Sequence, residues 1–118
     1  MPASDRALLL VFKTLFLTQE SILVVDLALN DNPANALPLM DLKADLTTLK
    51  DELVALRDQM EDGRVTFPPP DPSVLQHVRG LITQVEAAKN AGVASGAALA
   101  AVGDALATGI TVMSLVKA

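Results

Sequence analysis

Residues 39–60, LMDLKADLTTLKDELVALRDQM, carry the most regular pattern in the chain. The apolar residues of this stretch recur at alternating steps of three and four, which places them on one stripe of an α-helix. The stripe is formed by Leu39, Leu42, Leu46, Leu49, Leu53, Leu56 and Met60. A heptad repeat held over three repeats predicts a helix that packs along its length against another helix.

The positions beside this stripe differ in charge. One flank carries Lys43, Lys50 and Arg57, and the other carries Asp45, Glu52 and Gln59. If two copies paired through the stripe, only a parallel arrangement would set acidic residues against basic ones. We expect instead that the stripe packs inside its own chain, because short heptad stretches are typical of bundle helices.

Composition sets limits on class and partners. The chain has 118 residues, which predicts a single domain over residues 1–118. Hydrophobic residues make up 51%, and the mean hydropathy is +0.40, so the chain is expected either to bury much of its apolar surface or to share some of it with a partner. Aromatic residues are only 3%, which predicts an aliphatic core.

The charge balance argues against two classes of partner. The formal net charge is −5, and the basic residues form no cluster, whereas nucleic acids and anionic membrane surfaces require a basic face. Cysteine is absent, which excludes disulfides and cysteine metal sites, and the N-terminal residues do not resemble a signal peptide. We therefore expect a cytoplasmic protein.

Capping residues and stop signals divide the chain into four helices, at about residues 4–29, 38–62, 72–90 and 93–116. Ser4 or Asp5 is expected to cap the first helix, Gly63 to follow the second, and Asp71 to cap the third. Residues 68–72, PPPDP, predict a stiff connector. The predicted fold is all-α: a four-helix up-and-down bundle, built from two helical hairpins joined by the proline-rich connector. Residues 110–113 could alternatively form a strand.

The first predicted helix is apolar almost all round, so we expect it near the centre of the bundle and at an interface. Three neighbours cannot easily cover four faces of one helix. We expect Leu10, Leu17 and Val24 to be exposed and to form the interface together with Leu9, Phe16 and Leu23. A membrane span is the rival interpretation, but Lys13, Glu20 and Asp26 interrupt the apolar run.

No motif for catalysis, a cofactor or a metal ion is present in the sequence. His77 is the only histidine, and one histidine without cysteine does not make an ordinary zinc site. Asp26 and Asp104 are acids within apolar helices, and buried acids are candidates for function. We expect both to reach solvent or a polar neighbour instead.

The sequence therefore predicts a non-enzymatic helical interaction or structural module. It would form a homo-oligomer or dock on another protein through an apolar helix face. One alternative is a membrane-active or lipid-handling helical protein, in which the first and fourth helices open as a hydrophobic hairpin. A second alternative is a small-ligand binder with a polar pocket around Asp26 or Asp104 in the bundle core.

Overall fold

The structure is a computed structural model that describes residues 2–31, 36–65, 70–92 and 96–115. These residues form four α-helices, which we number α1 (Pro2–Asp31), α2 (Ala36–Glu61), α3 (Pro72–Ala91) and α4 (Gly96–Ser114). The described ranges contain no strand, and residues 110–113 are helical. The prediction of an all-α four-helix bundle is confirmed.

Several helix ends were predicted from local chemistry. The Asp71 side chain accepts a hydrogen bond of 2.9 Å from the backbone N–H of Ser73, and Pro72 occupies the first turn. Gly92 ends α3 in the left-handed region, with φ at 69°, where a residue with a side chain is disfavoured. Gly63 ends the turn after α2 in the same way, with φ at 72°.

Other ends differ from the prediction. Helix α1 begins at Pro2, so Ser4 and Asp5 lie within it and the predicted cap at these residues is wrong. Helix α2 begins at Ala36, two residues before Pro38, because proline is tolerated in the first turn. The predicted connector at residues 68–72 lies partly outside the described residues, which resume at Pro70.

The packing has a central pair of helices. Helices α1 and α4 each contact the other three, whereas α2 and α3 do not contact each other within the described ranges. Helices α2 and α3 therefore occupy opposite corners, with α1 and α4 between them. The central position expected for the first helix is observed, and none of the four described helices covers the side of α1 turned away from α4.

The leucine stripe of α2 faces this core. Leu39, Leu46, Leu49, Leu53 and Leu56 are buried, and Leu42 and Met60 are half-buried against the core. The stripe packs inside its own chain, as expected, and is not free for parallel self-pairing. It lies close to α4 at Gly109, where an added Cβ would clash with Cδ2 of Leu49.

Three hydroxyl side chains of α1 are also buried in the bundle. Thr14, Thr18 and Ser21 each donate a hydrogen bond of 2.7–2.8 Å to the carbonyl four residues earlier in the same helix. Burying a hydroxyl without a partner is costly, and these bonds within α1 remove that cost without a hydrogen bond to another helix. The small hydroxyl residues can therefore line the interior of an otherwise aliphatic core.

Candidate functional site

One side of α1 exposes large apolar side chains to solvent. Leu9, Phe12, Phe16 and Leu23 are 37%, 42%, 40% and 45% exposed. Their spacing of three, four and seven residues places them within about 60° of one another around the helix axis. We call these four residues the outer face of α1. It lies on the side opposite α4.

The expected exposure of Leu10, Leu17 and Val24 is wrong, because all three are fully buried. They occupy the next row round the helix, and that row points into the bundle. The other three predicted interface residues, Leu9, Phe16 and Leu23, are exposed as expected. Residue spacing alone cannot tell the exposed row from the buried row, because both rows are apolar and the positions of the neighbouring helices decide which one is covered.

Phe12 was missed by the sequence interpretation, although a signal for it exists. It lies three residues after Leu9 and four before Phe16, so it falls on the same side of the helix. Its inclusion makes the outer face aromatic at its centre. Two of the three phenylalanines in the chain are exposed side by side on this surface.

Ion pairs mark the two edges of the outer face. On one edge, Glu20 accepts a hydrogen bond from Nζ of Lys89 in α3, and the carboxylate side chain is only 8% exposed. On the other edge, Asp26 pairs with Nζ of Lys43 in α2 at 2.7 Å. The expectation that Asp26 reaches a polar neighbour is confirmed. The outer face therefore lies between α2 and α3, in the gap that these two helices leave.

The other acid within an apolar helix, Asp104, is at the surface. Nε2 of His77 lies 3.3 Å from Oδ2 of Asp104, and both side chains are about half exposed. The Thr108 hydroxyl donates to Oδ1 of the same carboxylate at 3.3 Å. The sequence interpretation missed the pairing of His77 with Asp104, because the two residues lie on different helices. The pair joins α3 to α4 along an open groove of about 470 Å³.

Metal chemistry has no site within the described ranges, since no group of three or more histidine, aspartate and glutamate side chains there could hold an ion. At Asp71, the hydrogen bond from the Ser73 backbone N–H lowers the pKa of the carboxyl below its ordinary value of 3.8. This carboxyl is a helix cap, so its lowered pKa reflects the fold.

Two helical segments are long and apolar enough to cross a membrane, Arg6–Asn30 and Gly96–Ser114. In the bundle, 56% of the first segment's most apolar window and 33% of the second's are buried. A core helix of a soluble bundle passes the same test of length and composition, so the two segments are weak evidence for a membrane span. The exposed residues of the second segment are mostly alanine, glycine and threonine.

No protein-family model, no curated protein and no solved structure matches the chain.

Proposed function

We propose that this protein is a non-enzymatic helical interaction module that docks on a protein partner through the outer face of α1. The observation that carries the proposal is the exposure of Phe12 and Phe16 beside each other on a bundle whose core is aliphatic. Large aromatic side chains are normally buried, and they are enriched where proteins bind one another. Leu9 and Leu23 extend the apolar surface along the helix on both sides of this pair.

The size of the surface supports a contact of moderate affinity. Phe12 and Phe16 each leave about 80 Å² exposed, taking about 200 Å² for a whole aromatic side chain. Covering this area contributes about 2 kcal/mol per phenylalanine at about 25 cal/mol per Å². The two phenylalanines of one subunit therefore account for about 4 kcal/mol, which is close to a thousandfold change in the dissociation constant.

A double variant tests this proposal directly. Phe12→Gln with Phe16→Gln replaces the aromatic centre by polar residues that favour helix, and the matched control is Ile110→Gln, which alters a residue of similar exposure on α4. Molar mass in solution is measured by size-exclusion chromatography with light scattering. We expect an oligomer for the wild-type protein and for the control, and a monomer for the double variant. Equal masses for all three proteins would contradict docking between copies of this chain through the outer face.

The second candidate function is a membrane-active or lipid-handling protein. The observation in its favour is that α1 and α4 both have the length and apolar composition of a membrane span, with α4 only one-third buried. Against it, Lys13, Glu20 and Asp26 lie along α1, and charges in the hydrocarbon region are costly. Flotation with zwitterionic and with anionic liposomes separates the two functions. Protein that floats with the vesicles favours this candidate, and protein that stays in the soluble fraction contradicts it.

A further inference from the structure

We propose that the partner of the outer face is a second copy of this chain, and that the two α1 helices pair antiparallel about a two-fold axis at Phe16. This inference rests on the proposed function of the outer face and adds the identity and direction of the partner. It follows from the spacing of the apolar residues and from the distribution of charge along one edge of the face.

Leu9 and Leu23 are spaced evenly about Phe16, while Phe12 of one copy would lie opposite Glu20 of the other. Leu9 lies seven residues before Phe16 and Leu23 seven residues after it, which is two helical turns in each direction. In an antiparallel pair centred on Phe16, Leu9 of one copy meets Leu23 of the other at both ends. Phe16 meets its own counterpart at the centre. A surface that complements itself in this way fits the isologous contact of a two-fold dimer.

The edge of the outer face on the α3 side differs in charge between its two ends, because Arg6 and Arg79 outnumber Asp71 at one end and Glu20 is paired with Lys89 at the other. Arg6 and Leu9 lie beside Pro72 and Arg79 in a groove of about 440 Å³, while Glu20 binds Lys89 further along. Helices α1 and α3 therefore run in the same direction, and the positive ends of both helix dipoles lie together. In an antiparallel pair, the positive ends of α1 and α3 in one copy would lie against the negative ends of α1 and α3 in the other copy.

Charged side chains along this edge follow the direction of the helix dipoles, with basic residues towards the positive end. Lys13 and Arg79 lie towards the N-terminal end of this edge, and Glu20 and Glu86 lie seven residues further along the same rows of α1 and α3. Turning the second copy end for end brings Arg79 of one copy to Glu86 of the other. Lys89 offsets the charge of Glu20, so Glu86 carries the uncompensated negative charge.

The edge on the α2 side carries a row of three bases. Lys43 binds Asp26 and Arg57 lies near Asp58 and Glu61, so these two already have acidic partners in their own chain, whereas Lys50 between them has no ion pair with any described residue. Complementary charge across an interface selects register and direction more than it adds affinity. The antiparallel direction is therefore assigned from the α3 side.

Disulfide mapping tests the direction, and the chain contains no cysteine that would interfere. The variants are Leu9→Cys and Leu23→Cys, alone, mixed with each other and combined in one chain. Phe16→Cys reports that the faces meet, and Ile110→Cys on α4 measures random collision. Cross-linking under mild oxidation is followed by non-reducing electrophoresis and compared with the rate of the α4 control.

The antiparallel pair predicts that Phe16→Cys cross-links at least tenfold faster than the α4 control. It also predicts that Leu9→Cys and Leu23→Cys cross-link when mixed or combined, and that neither does so alone. If each of these two variants cross-links with itself, the pairing is parallel, so the inference is overturned while docking through the outer face stands. If Phe16→Cys cross-links no faster than the control and the wild-type protein is a monomer, two copies do not pair through the outer face and the inference is overturned.

Charge exchange supplies an independent readout. Arg79→Glu alone and Glu86→Arg alone should each weaken the dimer by at least threefold, because each sets like charges against each other at both ends. The chain that carries both changes should recover the wild-type dissociation constant within about twofold. Single variants that dimerise as well as the wild type would overturn the assigned direction.

Discussion

Replacing Gly109 by alanine should expose the close approach of α4 to α2. A Cβ added at Gly109 would lie 2.3 Å from Cδ2 of Leu49 and 3.3 Å from its Cγ, whereas carbon atoms in contact normally lie about 3.5–4.0 Å apart. Leu49 is buried, so moving its side chain disturbs the residues packed around it. Either Leu49 must leave its rotamer or the two helices must separate.

The same substitution at Gly103 provides the comparison, because no atom lies within 4 Å of a Cβ built there. Alanine at either position should gain about 1 kcal/mol of helix propensity over glycine. Overpacking at Gly109 costs about 1–3 kcal/mol. Gly103→Ala should therefore stabilise the protein by about 1 kcal/mol, and Gly109→Ala should be less stable than Gly103→Ala by about 1–3 kcal/mol.

Urea unfolding followed by circular dichroism measures both variants, and an unchanged denaturant slope ensures that the free energies can be compared. A Leu49→Ala background tests the cause. Truncation of Leu49 costs about 2–5 kcal/mol by itself, but it removes the atoms that the new Cβ meets. Alanine at position 109 should then stabilise the protein relative to glycine. If Gly109→Ala and Gly103→Ala are equally stabilising in the wild-type background, the close contact is wrong.

Three further predictions concern buried side chains, ion pairs and helix caps. Leu17→Ala should lower the free energy of unfolding by about 2–5 kcal/mol because Leu17 is fully buried, whereas Leu23→Ala on the outer face should lower it by less than about 1 kcal/mol. Equal losses of stability in urea unfolding would contradict the burial of Leu17. Lys89→Met should destabilise the protein by about 2 kcal/mol because it leaves Glu20 buried without its partner, and adding Glu20→Met should recover most of the loss in thermal unfolding. Because the pKa of Asp71 is lowered in the folded protein, its cap stabilises the fold at pH values above the unfolded pKa of 3.8, and this stability is lost as pH falls through the lower folded pKa. Asp71→Asn should remove this pH dependence of stability in acid titrations. An acid unfolding transition that is the same in the variant and the wild type would refute the prediction.

The elements of the fold follow from local sequence. The leucine stripe of α2 has a helical period and only one apolar side, so its direction towards the core could be predicted. The cap at Asp71 and the glycine at Gly92 act through hydrogen bonds within a few residues, and their positions were also predicted. Local signals were weaker at the start of α1, where neither Ser4 nor Asp5 begins the helix.

The candidate site depends on how the helices pack, which local patterns do not encode. Leu10 and Leu9 are adjacent and equally apolar, yet one is buried and the other is exposed because α2 and α3 stand on either side of the outer face. The pairs of Asp26 with Lys43 and of His77 with Asp104 join different helices. Such contacts between helices cannot be read from residue spacing within one helix.

Sedimentation equilibrium of the wild-type protein tests the self-association proposed for the outer face of α1 most directly. The chain has a mass of 12.4 kDa. The proposed pairing predicts a reversible rise towards twice this mass as the protein concentration increases through the micromolar range. A mass that stays at that of one chain over the whole range would show that the exposed leucines and phenylalanines of α1 do not bring two copies together.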